Sequence, residues 1–572
     1  MADKITPQMT VAEINEKFPQ CARVFDHYGL GGCGGSLGPP EPLFIFAAAH
    51  RVPLQQLVEE LNQAERGEWK EPSNPSSEVA GREDLESETL YKRFIFASLL
   101  IALVLGFGLG VVNLTRISWA QSYYAISGVL KQIHAHAQIF GWVGLFIMGV
   151  ALHAVPRFKM VGLRFVGAAK ACFVLMVVGV TTRCVAQYWG GETWGRFLVL
   201  GSGLMELVAI VIFVALIARV VLRSEQNREF HEKFIWASLL WFLALGVWNA
   251  WLTFQMATKG WTAPPALQNA LFIHAALFGF MANMIFGFSL RVLPHFMGLR
   301  EPRASAANAA FVLWNAAIFL RYPQEQLAVV ATWLEVGGAA LMVAALRLFE
   351  KRQAKIEIEG VDGAFQWFIY MGYIWLLVAA ATPLHADIYR LSASNRHLMA
   401  VGFITSMILG VAHRVLPIFN GVNLHSNKLM RVSFWHLAAG TTMALAMAFN
   451  AAYNSAWSYA WSAASGWLVL AAVMMFAANL WRTLRTRAEM FSADAEVKLA
   501  TRIADLLDEH PELRPVLIHG GLSGLARMRG NPPRFVTIEF AARRHGIDPR
   551  PLVAALNEEI ARKRERSGGV VE

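Results

Sequence analysis

Residues 133–158 read IHAHAQIFGWVGLFIMGVALHAVPRF, with no charged side chain between Lys131 and Arg157. A run of this length spans the roughly 30 Å of hydrocarbon in a bilayer, which takes about 20 residues of helix. Two later stretches repeat it: IHAALFGFMANMIFGFSLRVLPHF at 273–296 and RHLMAVGFITSMILGVAHRVLPIF at 396–419. Aligned on Pro156, Pro294 and Pro417, they place His136, His274 and His397 in one column and Gly141, Gly279 and Gly402 in the next. Gly149, Gly287 and Gly410 then coincide, as do Phe158, Phe296 and Phe419. Four shared columns in three copies point to internal duplication.

The 572 residues are 55% hydrophobic and 16% charged, against about a quarter charged in soluble domains. The net charge of +10 is spread through short segments between apolar runs, which is the pattern of membrane topology and not of a nucleic-acid-binding domain. Apolar segments fall near 93–115, 133–155, 162–186, 197–219, 234–256, 269–293, 304–321, 325–347, 365–384, 396–417, 431–453 and 457–481. Each repeat is the second helix of a set of four. The expected fold is therefore all-α, a polytopic membrane protein of about twelve transmembrane helices in three four-helix repeats, with small helical domains at both termini.

Basic residues alternate between the two sides. One side carries Arg157, Lys159, Arg164, Arg219, Arg223, Arg291, Arg300, Arg303, Arg347, Lys351, Arg414, Lys428, Arg482 and Arg485, while the other has Arg116, Lys131, Arg183, Arg196, Lys259, Arg321, Arg390 and Arg396. The positive-inside rule then places both termini in the cytoplasm of a bacterial inner membrane. The polar N-terminal ninety or so residues exclude a cleaved signal peptide. Four cysteines without a CxxC pair indicate neither a disulfide framework nor a structural zinc site.

The termini also resemble each other. Residues 1–62 contain INEKFP, VFDHYGLGG and AAAHRVPLQQLVEELN; residues 497–560 contain LLDEHP, VLIHGGLSG and AARRHGIDPRPLVAALN. Both read as small helical cytoplasmic domains able to meet a protein partner. Residues 63–90 read as a polar linker, and 91–485 as the membrane domain.

His136, His274 and His397 each open a spanning helix, and ionisable side chains at membrane depth usually face the bundle interior. Neutral imidazole suits haem iron or copper, so these three are the candidate metal ligands, the alternative being interfacial histidines that only hydrogen-bond. His134, two residues before His136, points about 200° away on an α-helix and is a candidate for a second site or an accessory role. Gln138 and Trp142 could support either histidine. His153, His295 and His413, some 16–21 residues from the first set, lie roughly 25–30 Å away along the helices and are expected in a basic rim. His385 and Asp387 could close the site from a loop. Glu206 and Glu335, inside the fourth helices of the first two units, are candidates for a proton path or for structural pairing. Cys33 is a candidate thiol.

HAHAQIFGWVGLFIMGV with HAVPRF, HAALFGF and RHLMAVGF resembles the NnrS family of bacterial membrane proteins over roughly 90–485. That resemblance implies a haem-containing protein, b-type, with copper as a second metal, connected with nitric oxide, nitrosative stress and denitrification. An oxidoreductase acting on nitrogen oxides would fit such a cofactor, although no reaction can be read from the residues. Three sets of four helices are also similar to the haem-copper oxidase catalytic subunit, whose ligand histidines lie on helices two, six and ten. Here the seventh segment carries no histidine and the tenth no His-x-His, so a complete oxygen-reducing centre is not expected. CARVFDHYGLGGCGG at 21–35 resembles the small domain that opens ScdA-type iron-sulfur repair proteins, except that Gly32 stands where an adjacent cysteine is usual. A transporter or channel lined by the triplicated helices, and a membrane sensor, are the rival readings; no Walker A motif is present.

Overall fold

The computed structural model describes residues 5–21, 24–25, 43, 47, 54–69, 83–159, 161, 163–224, 228–321, 325–352, 362–384, 393–420, 422–447, 454–486, 496–522, 537–544 and 547–568. Among these the chain is helical throughout, without a strand. The membrane domain begins with α1, which is α-helical over Glu83–Ile101 and Phe107–Ala120 around a π-helical turn, Ala102–Gly106. α2 runs through Gly128–His136, Ala137–Gly144 and Leu145–Phe158, followed by α3 (Val166–Ala186), α4 (Thr193–Arg223) and α5 (Glu232–Lys259). α6 comprises Ala266–His274, Ala275–Ala282 and Asn283–Met297; α7 (Ala304–Leu320), α8 (Glu325–Leu346) and α9 (Phe365–Ala381) come next. α10 comprises Ala393–His397, Leu398–Thr405 and Ser406–Asn420, and α11 (Asn427–Ala444) and α12 (Ala456–Arg485) complete the series.

Nine of these helices are long and apolar enough to cross a membrane, and α7 and α9 are shorter apolar helices. The helices overrun the apolar segments at several ends. α1 starts at Glu83, inside the stretch read as linker, because EDLESETL is rich in helix formers.

α2, α6 and α10 form the centre. Within their most apolar windows 94%, 83% and 78% of residues are buried, against 39% in α3, α4 and α8. The outer helices pack as α3–α4, α7–α8 and α11–α12 hairpins, and α12 returns to pack on α1, closing the ring of three units. The two glycine columns explain how each second helix reaches the first helix of its unit. A methyl group at Gly149, Gly287 or Gly410 would come within 2.6, 2.9 or 2.8 Å of Phe94, Ile235 or Phe368. At Gly141, Gly279 and Gly402 it would meet Ile101, Trp241 and Trp375. Small residues permit this close backbone approach where no aqueous hydrophobic effect drives helices together.

The same three helices switch from α to π geometry at one register. Ala137–Gly144, Ala275–Ala282 and Leu398–Thr405 each follow directly on the histidine column. Such i→i+5 segments are rare and concentrate at functional sites.

The two terminal segments carry similar clamps. Asn62, in the helix Leu54–Glu65, bonds the N–H and C=O of Ile5 at 3.1 and 3.2 Å. Asn557, in Pro549–Gly568, does the same to Val497 at 2.7 and 2.9 Å. A short helix and a 3₁₀ turn follow in each, Val11–Lys17 with Pro19–Cys21 and Ile503–Glu509 with Pro511–Leu513.

Candidate functional site

His134 and His136 face different neighbours. His136 Nε2 donates to Glu206 Oε1 at 2.8 Å, and Asn249 Nδ2 donates to Glu206 Oε2 at 2.6 Å. Glu206 is fully buried and His136 nearly so. With its Nε2–H committed to a carboxylate, His136 is fixed between α2 and α4. The second unit builds the same pair: His274 Nε2 lies 3.0 Å from Glu335 Oε1. Arg321 there clamps Glu335 through Nε at 3.1 Å and Nη2 at 2.8 Å, and Thr332 Oγ1 accepts from Arg321 at 3.0 Å.

Glu206 and Glu335 therefore sit against the histidine column. Arg321, the partner of Glu335, is a residue that sequence reading assigned to topology. Arg321 is buried, as is Arg183, which donates to Gln187 Oε1 at 3.1 Å and to Met256 Sδ at 3.4 Å. The available signal was an arginine close to the register of a glutamate in the neighbouring apolar segment, since intramembrane charges are seldom left uncompensated.

His134 turns the other way, to α1. Its Nδ1 lies 2.9 Å from the Gly106 carbonyl. A carbonyl can only accept, so Nδ1 carries the proton and Nε2 keeps its lone pair. Gly110 makes room for the ring, because a Cβ there would stand 2.7 Å from His134 Cε1.

His134 lines a cavity of about 490 Å³ between α1, α2, α6, α10, α11 and α12, and so does His397. Their ring centroids are 6.4 Å apart with planes inclined by 13°. Gln138 and Trp142 line the cavity too. Trp142 Nε1 and Asn113 Oδ1, also on its wall, are buried without a protein hydrogen-bond partner. Lys131, Gln132 and Arg396 supply a polar end, and Val143, Leu277, Met281 and Val469 an apolar one.

The three aligned histidines are thus distributed. His397 is on the cavity wall, while His136 and His274 are held by glutamates. Among the described residues no group of three His, Cys, Asp or Glu could hold a metal ion. Two inner-end histidines also differ from expectation. Instead of joining a basic rim, His153 is buried against Tyr91 and Phe419, with ring centroids at 4.5 and 4.1 Å. His413 is buried beside Phe368 and Phe476 at 5.7 and 5.0 Å. Aromatic side chains from neighbouring helices cover both. Cys33, His385 and Asp387 lie outside the described residues, as does the side chain of His295.

Compared with known proteins, residues 93–487 match the sequence model of a family described as NnrS protein. No curated protein matches the chain.

Proposed function

Because the chain belongs to the NnrS family, matched over residues 93–487, we propose that it is a haem-binding membrane protein acting in the response to nitric oxide or related nitrogen oxides, with His134 and His397 as the residues that would hold the haem. The observation that carries this reading is the pair of near-parallel imidazoles 6.4 Å apart across the cavity. Two imidazoles bonded to opposite sides of one metal, at about 2.0–2.1 Å per bond, place their ring centres on the order of 6 Å apart.

The donor set favours haem over a lone copper ion at this place. Copper sites generally draw three or more ligands from the protein, whereas a porphyrin brings four nitrogens and asks for one or two. The cavity supports the same choice. Its volume is within the roughly 300–1,000 Å³ of small-molecule sites, and its apolar and cationic ends suit a flat macrocycle with carboxylates at one edge. The iron would supply one-electron exchange.

The residues then divide the work. The His134 Nδ1–H bond to Gly106 holds the ring in one tautomer and raises the basicity of Nε2. Arg396 and Lys131 would neutralise carboxylates at the polar end. The apolar walls would exclude water and lower the local dielectric around the bound group, which tunes its potential.

A pyridine haemochrome assay with metal analysis tests the reading. Stoichiometric haem is expected, and a purified protein free of haem after expression with haem supplied would return the transporter reading to first place. We further assign the His134–His397 end of the bundle to the periplasmic side and both termini to the cytoplasm of the bacterial inner membrane, from the distribution of basic residues. An alkaline phosphatase fusion near residue 490 should be inactive; activity there would reverse the assignment.

A further inference from the structure

The three outer hairpins balance charge differently at the end of the bundle assigned to the cytoplasm. α3 and α7 are the same helix of successive units, which FVLMVVGVTTR at 173–183 and FVLWNAAIFLR at 311–321 make plain. Beside α7, Arg303 and Arg347 each meet Glu350 at 2.8 Å, and Arg300 adds to the positive field around that carboxylate. At α11 of the third unit, Arg431 pairs with Asp362. Beside α3, by contrast, Arg164 and Arg219 crowd Arg223 closely enough for their charges to repel it. Past α4, the described carboxylates Glu229 and Glu232 are taken by His231 at 3.1 Å and Lys159 at 2.5 Å. Among the described residues no carboxylate forms an ion pair with Arg164, Arg219 or Arg223.

Cations gathered on one face repel each other until an anion joins them, and a guanidinium presents paired N–H groups that match phosphate oxygens. The surroundings of these arginines are open to such a guest. All three side chains are exposed. Arg219 lies over the Phe165 ring, 4.9 Å from its centroid, a cation–π contact that holds the guanidinium beside the start of α3. There the helix has no side-chain cap, and a Cβ at Gly167 would meet nothing within 4 Å. The unbonded N–H groups and the helix dipole add positive potential at the same point. Phe165 itself is exposed, and farther along the hairpin α3 exposes Val174 and Val178 while α4 exposes Val208 and Val211.

We infer that Arg164, Arg219 and Arg223 form a site for the phosphate of an anionic phospholipid whose acyl chains lie along the α3–α4 face. In unit two a carboxylate of the chain itself, Glu350, stands among the arginines; in unit one the lipid supplies the anion. Dissolved phosphate offers the same oxygens, but the apolar face beside the arginines suits a molecule that joins phosphate to hydrocarbon.

The test uses full-length protein purified in a neutral detergent, with phosphatidylglycerol and phosphatidylcholine of identical acyl chains as probes and native mass spectrometry to count bound lipid. Wild type should retain phosphatidylglycerol in preference to phosphatidylcholine. Arg219→Gln/Arg223→Gln should bind phosphatidylglycerol about 25-fold more weakly, at roughly fivefold per arginine near an anionic surface, with phosphatidylcholine binding unchanged. Arg300→Gln/Arg303→Gln removes the same charge from the hairpin that already holds Glu350 and should lose less than about fivefold. Equal losses in the two double variants, or a wild type without preference between the lipids, would overturn the site. If Arg219→Gln/Arg223→Gln does not accumulate, Arg219→Gln alone decides: about a fivefold loss is expected, and wild-type affinity overturns the inference. Inorganic phosphate separates the two sources of the anion. At millimolar concentration it should leave thermal unfolding of the wild type unchanged, and stabilisation equal to that by phosphatidylglycerol would overturn the lipid assignment. Haem plays no part in these readouts, so they stand apart from the cofactor reading.

Discussion

The His–Glu clusters of units one and two and the His134–His397 cavity use the same side chain on the same three helices, yet they are opposite solutions to burying an imidazole. In the clusters a ring nitrogen faces a carboxylate, hydrogen-bonded to it at His136 and 3.0 Å from it at His274, and the carboxylate is in turn satisfied by Asn249 or Arg321. In the cavity one nitrogen of His134 is anchored to the Gly106 backbone and the other is available. The first arrangement fixes helices to each other; the second fixes a ring on a cavity wall. Orientation by a backbone carbonyl is what metal-bound histidines commonly show, since it sets the tautomer without competing for the metal.

The comparison would break most visibly at the cavity. His134→Ala and His397→Ala should each remove the native haem spectrum and more than about half of the bound haem, because the iron must then take water or a weaker neighbour. His136→Ala should leave the spectrum of the folded protein near wild type. Should His136→Ala and not His134→Ala abolish the signal, the division between cluster and cavity is wrong.

The clusters should show themselves in stability instead. Glu335→Ala strands Arg321 as an uncompensated buried charge, a loss worth about 3–5 kcal/mol. Glu206→Ala leaves a neutral imidazole and an amide unpaired, worth about 1–3 kcal/mol. Thermal unfolding in detergent checks the order. A Glu206→Ala protein less stable than Glu335→Ala would mean that Arg183, not Arg321, is the charge that depends on its carboxylate.

A smaller effect sharpens the cavity geometry. Gly110→Ala forces its new methyl to within 2.7 Å of His134 Cε1, so the ring must tilt; at Gly106 the nearest atom is Gln138 Cδ at 3.2 Å, on a flexible side chain. Gly110→Ala should lower haem affinity by about tenfold and Gly106→Ala by much less. Equal losses would show that the ring is not held by the surface of α1.

The smallest effect concerns the N-terminal domain. Burial pushes the Cys21 thiol up to about 12, and the nearby Glu65 adds to this. A thiol with a raised pKa stays neutral at every pH below that value, and the neutral form is a poor nucleophile. Native protein at pH 7–8 should label with maleimide at Cys21 only as fast as the domain unfolds; rapid labelling would contradict this burial.

Much of the architecture was legible in local pattern. Composition and the run of apolar segments determine an all-α membrane protein, because a bilayer requires about 20 apolar residues per helical crossing whatever the neighbours are. The columns at His136, His274 and His397, and the glycines behind them, follow from duplication written in the chain. The opposite directions of His134 and His136 follow from helical geometry alone.

What the tertiary structure decided is which of these groups meet. Glu206 lies 70 residues from His136, and the rotation that brings them together depends on how α2 and α4 cross. Arg183 and Arg321 entered the sequence reading only as charges marking one side of the membrane, because position along the chain says nothing about where a long side chain turns; burial makes them part of the interior. The pairing of His134 with His397 joins the first unit to the third, and closure of the ring by α12 on α1 creates the cavity between them. That closure is a sum of helix contacts spread over the whole membrane domain, so no local stretch of sequence contains it.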